Sequence, residues 1–500
     1  MIHKLLIANR GEIAVRVMRT AHEMGIRTVA VYSDADAHAL HRLLADEAVS
    51  LGAPEPSESY LRIDKILAAA AETGADAIHP GYGFLSERAE FSAACEAAGI
   101  AFVGPPPAAM RALGAKIDAK QLAVRAGVPI TPGFFEPDAS CDALRTAAIE
   151  IGFPVMLKAS AGGGGRGMRI VRDVELFDEE FTTASDEALK AFGDGAMMVE
   201  KLIERPRHVE VQIIADRHGN VAALFERECS IQRRHQKLLE EAPAPGFASG
   251  SAMWESMREA SRRLALEAGY VGAGTVEFMV DEASGEFYFL EVNARLQVEH
   301  PVTEAITGLD LVRLQLEVAS RQPLHLPELL CEGRRAAIQG HAIEARIVAE
   351  DPARNFLPST GRILAWAEPK GPGIRVDSGY GPGAEISRYY DSLIAKVIAH
   401  GPDREAALQR LEGALLDFHI LGLKTNIPYL LDVIRHPEFR AGAFDTGFLG
   451  REFDGWTGRG EPPSELAALL AVASSSTGGT TIQTSIPTAW NADDGFRVTR

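Results

Sequence analysis

The chain is poor in cysteine, with Cys95, Cys141, Cys229 and Cys331 the only four in 500 residues. None stands in a C-x-x-C spacing, so neither a zinc site nor a disulfide framework is indicated, and reduced structural thiols are the expectation. Positive charge is also short: 51 Lys and Arg face 69 Asp and Glu, for a formal charge of -18. That balance argues against generic binding to nucleic acid or anionic lipid, while a local basic cluster could still hold a nucleotide. Long hydrophobic runs are missing, which excludes a membrane-spanning helix. The start, Met1-Ile2-His3-Lys4-Leu5-Leu6-Ile7-Ala8, enters a strand at once instead of resembling a signal peptide, and the expected location is the cytoplasm. Apolar residues, by contrast, make up 46%, ample for large cores, and the length suits roughly two to four domains.

From Lys4 to about Gly104, short strands (residues 5–8, 28–32 and 101–103) alternate with helical stretches (12–24 and 60–73), the pattern of a parallel α/β sheet. The first turn, Asn9-Arg10-Gly11-Glu12, has one glycine where a dinucleotide fingerprint needs three, so NAD binding is rejected although Asp34 lies at a suitable distance. The helix that follows carries Ile13, Val17 and Ala21 on one face and Arg16, Arg19 and Glu23 on another, a charged face read as solvated or as an ionic dimer contact. A second region, residues 115–330, contains Ala161-Gly162-Gly163-Gly164-Gly165-Arg166-Gly167-Met168 just after an apolar strand and Lys158. Consecutive glycines let backbone N–H groups approach phosphate oxygens and suit a lid. The G-K-[ST] ending of a P-loop is missing. A third, mixed α/β segment runs over 331–448, with a strand-like alternation at 340–346 and a helix at 406–416. Residues 449–500 form a tail: a Pro-rich linker at 459–463, a short apolar helix at 465–473 and a low-complexity stretch at 474–481.

The segment Glu291-Val292-Asn293-Ala294-Arg295-Leu296-Gln297-Val298-Glu299-His300 alternates polar and apolar residues. As an extended strand it lines Glu291, Asn293, Arg295, Gln297 and Glu299 along one face, a combination suited to a metal and a small anion. Upstream, the strand-like runs 275–280 and 287–291 flank Asp281-Glu282-Ala283-Ser284-Gly285-Glu286, and a turn near Ser284 sets Glu277 opposite Glu291. Facing carboxylates repel unless something positive lies between them, and hard oxygen ligands suit Mg²⁺ or Mn²⁺.

With these pieces assembled, the chain resembles biotin carboxylase, the ATP-grasp component of acyl-CoA and pyruvate carboxylases. The resemblance covers roughly residues 1–450. It rests on Ile7-Ala8-Asn9-Arg10-Gly11-Glu12-Ile13-Ala14, on His79-Pro80-Gly81-Tyr82-Gly83-Phe84-Leu85-Ser86-Glu87, on the glycine lid with Lys158, on Gln232-Arg233-Arg234-His235-Gln236-Lys237, and on the 291–301 run. It implies an α/β and α+β multidomain fold: an N-terminal Rossmann-like domain (1–114), an ATP-grasp domain (115–330) with a mobile lid at about 133–203, a C-terminal domain (331–448), and a tail (449–500) whose residues 489–498 look like the start of a following domain. It implies an ATP-dependent ligase that carboxylates biotin on a carrier protein by way of carboxyphosphate.

The resemblance also implies roles. Glu299 is the base toward bicarbonate, which Lys237, Arg295, Gln297 and the Val298 backbone hold. Arg346 stabilises the enolate-like oxygen of biotin, and Tyr82 packs beside its ring. Lys116, Lys158, Gly163, Gly164 and Gly165 contact nucleotide phosphates, Glu200, Lys201 and Leu202 form the adenine hinge, and His208, Gln232 and His235 are nucleotide neighbours. Glu277, Glu291 and Asn293 resemble the Mg²⁺ or Mn²⁺ ligands, the two glutamates also facing ATP. Ala294 and Ala161 depart from residues frequent in the family without removing a functional side chain. No biotin attachment site and no carboxyltransferase region is visible. The implied partners are therefore a biotin carrier, a carboxyltransferase subunit and a second copy of the chain, with no nucleic acid and no membrane. The rival readings are the biotin carboxylase part of a pyruvate carboxylase, an ATP-grasp ligase for a different carboxylate, and a non-catalytic nucleotide-binding scaffold.

Overall fold

The computed structural model describes residues 1–136, 139–160, 167–247 and 252–458. The expected linker, helix and low-complexity stretch beyond residue 459, and the residues at 489–498, lie outside them, as do Gly163, Gly164 and Gly165.

Leu5, Leu6 and Ile7 are fully buried, the near-continuous apolar run of a strand covered on both faces. They sit in strand Lys4–Ile7 at the centre of an all-parallel sheet ordered Glu47–Gly52, Arg27–Ser33, Lys4–Ile7, Ala77–His79, Ala101–Phe102. The first three strands in sequence run outward to one edge and the fourth, Ala77–His79, returns to the other side of Lys4–Ile7, so the turns after Ile7 and His79 flank a switch point, where α/β sheets bind ligands. Asn9 locks the two turns together by donating to the carbonyls of Pro80 (2.8 Å) and Tyr82 (2.7 Å). Gly81, with φ +63°, leaves no room for a side chain there: a Cβ would lie 2.8 Å from Asn9 Nδ2.

The second sheet has eight strands in the order Glu286–Asn293, Gly272–Asp281, Pro206–Ala215, Val221–Arg233, Gln236–Ala242, His341–Val348, Leu393–Gly401, Ile374–Ser378. Gln236–Ala242 pairs directly with His341–Val348, so the sheet continues unbroken from the second region into the C-terminal region and sets residues of both on one surface. The third body spans the expected lid: strands Gly133–Phe134, Met197–Lys201, Val155–Ala159 and Met168–Val171, backed by helices Cys141–Ile151 and Phe177–Phe192. Leu144, Val155, Leu157, Phe177 and Val199 give it a hydrophobic core of its own. Among the described residues, no helix is long and apolar enough to cross a membrane.

Two expectations are corrected. The alternation after Asn293 does not continue as a strand: the strand stops there, and residues 294–299 form a loop into helix His300–Thr307. Leu296 is fully buried and Pro301 sits in the first helical turn. A single exposed face is thus impossible, because both apolar and polar side chains of the loop turn inward. Nor is Arg16 part of a solvated face. It is buried and donates to Thr20 Oγ1 (2.6 Å), Glu304 Oε1 (2.8 Å) and Asp310 Oδ1 (2.9 Å), clamping helix Gly11–Glu23 to the second region. Arg19 and Glu23 do stay exposed.

His79 is fully buried, with Nδ1 accepting from the Gly81 amide (2.9 Å) and Nε2 facing Gln315 Oε1 (3.2 Å), a neutral ring with its proton on Nε2. Burial pushes its pKa, and that of the equally buried His41, down to about 4. The unfolded chain, with histidines near 6.5, then binds more protons at acid pH, so the stability these residues contribute is intact above about pH 6.5 and is lost as pH falls toward 4, by about 3 kcal/mol each. Urea unfolding of His79→Asn should show a visibly shallower loss of stability across that window than wild type, whereas identical slopes would assign the acid sensitivity elsewhere.

Candidate active site

Across four neighbouring strands of the large sheet, Glu291 stands opposite Glu277, Glu277 opposite Glu210 and Glu210 opposite Arg227. The expected turn, with Gly285 at φ +72°, delivers the Glu277–Glu291 register. Three adjacent buried carboxylates repel strongly unless cations are interposed. Lys237 does most of that work: its Nζ lies 2.6 Å from Glu210 Oε2, 2.9 Å from Glu277 Oε1 and 2.6 Å from Glu299 Oε1. Arg227 Nε closes on Glu210 Oε1 (2.5 Å), and His208 Nε2 on Glu277 Oε2 (2.8 Å). Burial works against the charge on Glu277, but Lys237 and His208 hold its pKa far below the usual carboxylate range. Glu291 goes the other way: burial and the Glu277 charge push it up, against the pull of Lys116.

This contrast fits a divalent cation. Glu291 carries negative charge that the protein alone underneutralises, and Asn293 stands beside it, its amide donating to Glu277 Oε1 (2.7 Å). Glu277, Glu291 and Asn293 therefore supply hard oxygen donors at one point of the sheet. Among the described residues, His208, Glu210 and Glu277 also gather their ligand atoms within 4.8 Å of one another.

The loop after Asn293 brings the anion-binding candidates to the same place by a different route from a strand. Glu87 pins its entry, accepting from the Ala294 amide (3.1 Å) and from Arg295 Nε (3.1 Å). Arg295 in turn donates to Gln297 Oε1 (3.0 Å) and Asn293 Oδ1 (3.1 Å). Glu299 is fully buried between Lys237 and Arg346, whose Nη2 reaches Glu299 Oε2 at 2.9 Å and Glu240 Oε1 at 2.5 Å. Burial raises and these cations lower the Glu299 pKa, and the cations win by a wide margin. A cavity of about 480 Å³ opens over this group, lined by Lys237, Arg295, Val298, Arg346, Tyr82 and Glu12 among others. It admits an anion at the two arginines and a larger, flatter group beside Tyr82.

On the other side of Glu277 and Glu291, Lys158 Nζ contacts Glu200 Oε2 (2.6 Å) and Lys120 Nζ contacts Glu200 Oε1 (2.5 Å). Burial lowers the pKa of Lys116, against the pull of Glu291, with Lys158 lowering it further; Lys116, Lys158, Glu291 and Glu200 thus share one neighbourhood. Glu200 is the penultimate residue of strand Met197–Lys201, and the amides of Lys201 and Leu202 donate to the carbonyls of Pro132 (2.8 Å) and Pro154 (3.1 Å), tying the end of this strand to the neighbouring segments. His235 occupies the tip of the Arg233–Gln236 turn with φ +63°, where burial and the Lys158, His208 and Lys116 charges lower its pKa. Gln232 Nε2 lies 3.2 Å from His208 Nδ1. Cys229 is buried, and burial beside Glu210 drives its thiol pKa up, the state of a packed rather than a nucleophilic cysteine.

The structure adds Glu210, Arg227, Glu240, Lys120, Glu87 and Glu12, which sequence reasoning did not single out. For Glu210 a signal existed: Val209-Glu210-Val211-Gln212-Ile213 alternates like the 291–293 strand, but with both faces buried. Glu12 and Glu87 lie within motifs already noted, without a role attached to them, and Arg227, Glu240 and Lys120 converge from distant segments with no local pattern to reveal them.

Comparison with known proteins gives three consecutive family matches: the biotin carboxylase N-terminal domain over residues 1–110, the ATP-binding domain of the carbamoyl-phosphate synthase L chain over 115–327, and the biotin carboxylase C-terminal domain over 344–451. The chain is 46% identical over 501 residues to the mitochondrial methylcrotonoyl-CoA carboxylase subunit alpha of Dictyostelium discoideum, covering 99% of this chain and 70% of that one. It is 49% identical over 450 residues to mitochondrial pyruvate carboxylase of Mus musculus, covering 90% of this chain and 38% of that one. The chain thus spans from 38% to 70% of the length of these relatives. Among solved structures, a biotin carboxylase–βγ-ATP complex from Campylobacter jejuni superposes with TM-score 0.85 at 44% identity, covering 90% of this chain and 99% of that one. The biotin carboxylase domain dimer of Hydrogenobacter thermophilus 2-oxoglutarate carboxylase, in complex with MgADP, ADP and bicarbonate, does so with TM-score 0.85 at 46% identity, covering 90% and 97%. The chain belongs to the biotin carboxylase family.

Lys237→Met strips Glu210, Glu277 and Glu299 of their shared cation. Guanidinium unfolding should show a loss of about 3–5 kcal/mol, the cost of leaving buried charges uncompensated, partly recovered in Lys237→Met/Glu299→Gln. A loss below about 1 kcal/mol, the range of exposed pairs, would show that the carboxylates do not depend on it.

Proposed function

We propose that this member of the biotin carboxylase family carries out the first half-reaction of a biotin-dependent carboxylase. Bicarbonate attacks the γ-phosphorus of ATP, giving carboxyphosphate and ADP, and the carboxyl group is then transferred to a ureido nitrogen of biotin borne by a carrier domain, with release of phosphate. The observation that carries this reading is Glu299, buried between Lys237 and Arg346 beneath a cavity that Arg295, Val298 and Tyr82 also line.

Bicarbonate is a poor nucleophile and has a proton to lose. Arg295 presents a fork suited to a planar, carboxylate-like anion, Gln297 and the Val298 backbone complete its cradle, and Glu299 stands within reach to accept the proton. Lys237 and Arg346, which hold the Glu299 charge, can turn toward the arriving anion and so return basicity to Glu299 as the proton moves. Phosphoryl transfer itself is largely positioning and charge neutralisation. In this reading Lys116 and Lys158 meet the triphosphate together with Gly163, Gly164 and Gly165, which lie outside the described residues, while Glu200, Lys201 and Leu202 serve the adenine end and His208, Gln232 and His235 stand alongside. A divalent cation held by Glu277, Glu291 and Asn293 supplies further neutralisation of the phosphate charge. In the second step, Arg346 faces the oxygen of biotin that becomes enolate-like on loss of the ureido proton, and Tyr82 flanks the ring.

The carboxyl acceptor is proposed to be an acyl-CoA. That reading is supported by the methylcrotonoyl-CoA and propionyl-CoA carboxylase chains among the relatives of this chain, and pyruvate, the acceptor of the pyruvate carboxylases matched at similar identity, is the alternative. The proposed partners are accordingly a biotin carrier domain, a carboxyltransferase subunit and a second copy of the chain, the last supported by the exposed Arg19 and Glu23 and by the dimeric Hydrogenobacter domain. The domain limits proposed are 1–114, 115–330 with the lid at about 133–203, and 331–448.

ADP release from Mg-ATP should require bicarbonate and rise with free biotin or a biotinylated carrier. In Arg346→Ala the biotin-stimulated rate should fall by about a hundredfold, the scale for one donor aimed at developing oxyanion charge. Turnover indifferent to biotin in every form would favour an ATP-grasp ligase for another carboxylate, and no turnover even with carrier would favour a scaffold subunit.

A further inference from the structure

Lys396 is fully buried, an expensive position for an ammonium group unless every proton finds an acceptor. It lies on strand Leu393–Gly401 between Arg346 and Asp377 on the two neighbouring strands, so its side chain rises next to that of Arg346. Its Nζ donates to the Val298 carbonyl at 2.8 Å and lies 3.3 Å from Glu12 Oε1 and 3.9 Å from Asp377 Oδ2. Glu12 in turn accepts a short hydrogen bond from the Tyr82 hydroxyl. The three parts of the fold meet at this one nitrogen. Glu12 and Tyr82 come from the parallel-sheet region, Val298 from the loop that ends in the base, and Lys396 from the C-terminal strands. Gly379 makes the approach possible, since a Cβ there would lie 2.3 Å from the Gly11 carbonyl carbon.

We infer that Lys396 is a positioning residue for bicarbonate activation, acting through the peptide that joins Val298 to Glu299 and coupling that peptide to Tyr82 through Glu12. The Val298 carbonyl belongs to the peptide plane that carries Glu299, and Glu299 is itself the residue that precedes helix His300–Thr307, with φ -83° and ψ 10°. Holding that carbonyl therefore fixes the backbone of the base and the orientation of Val298, both of which face the anion. Lys396 touches neither bicarbonate nor biotin in this arrangement. Its effect is to keep the base between Lys237 and Arg346 and to make that placement sensitive to the side chain beside the biotin ring. The same contacts would also stabilise a purely structural junction, so the test must separate the two.

This inference rests on the proposed bicarbonate chemistry, and the experiment keeps the two apart. The full chain is assayed as wild type, Lys396→Met and Glu12→Gln for ADP release, with KM and kcat measured separately for ATP, bicarbonate and free biotin and with the folded fraction measured by thermal unfolding. If wild type shows no bicarbonate-dependent ADP release, the functional reading fails first. If it does, Lys396→Met should lower kcat/KM for bicarbonate by about tenfold or more, the scale of a small misplacement of reacting groups, while KM for ATP stays within about twofold. Glu12→Gln, isosteric and keeping an oxygen acceptor for Lys396, should shift KM for bicarbonate and for biotin in the same direction by a smaller factor, and it decides the matter if Lys396→Met does not fold. Unchanged KM values for bicarbonate and biotin, with kcat falling only in proportion to folded protein, would overturn the inference and leave Lys396 a structural residue.

Discussion

The burial of Glu299, Glu277 and Glu210 around a single lysine is the constraint on which the rest of the molecule depends. A fold that must bury two carboxylates of a sheet against a third from the adjoining loop can form only if Lys237, Arg227, His208 and Arg346 arrive at fixed positions. Removing such groups from water costs several kcal/mol per ion, which close pairing offsets only when the geometry is good. The arrangement is thus held for chemistry more than for stability. It keeps Glu299 ionised, yet its two cations are the same groups that an entering anion would attract.

The eight-stranded sheet is what makes that convergence possible. Because Gln236–Ala242 pairs with His341–Val348, Lys237 and Arg346 rise from adjacent strands although more than one hundred residues separate them in sequence. The parallel sheet contributes from its switch point, where Asn9 binds the Pro80–Tyr82 turn and so fixes Tyr82 over the same cavity. The lid has an apolar core independent of the others. It is joined to helix Lys116–Arg125 through the ion pair of Glu200 with Lys120, apart from the carboxylate cluster.

Much of this was legible in the sequence, for reasons that differ by residue. The parallel sheet followed from strand and helix periodicity. The Glu277–Glu291 register followed from the turn chemistry of Asp281-Glu282-Ala283-Ser284-Gly285-Glu286, because hairpin register is set locally. The alternation at 291–299 picked out residues that the structure does gather together, but for a partly mistaken reason: only its first three positions are strand, and the remainder reach the cluster through a loop whose shape depends on Glu87 and Pro301. Arg16 looked like a surface charge because helical periodicity cannot reveal a partner such as Glu304 in a distant helix. Lys396, within the apolar run Leu393-Ile394-Ala395-Lys396-Val397-Ile398, gave no signal, since its partners lie in the other two parts of the fold.

The central claim is that the oxygen of bicarbonate attacks the γ-phosphorus of ATP at the site built around Glu299. The most direct measurement is turnover with ¹⁸O-labelled bicarbonate and biotin, followed by mass analysis of the released phosphate. Formation of carboxyphosphate predicts one bicarbonate oxygen in each phosphate. Label confined to carboxybiotin and residual bicarbonate, with unlabelled phosphate, would contradict it.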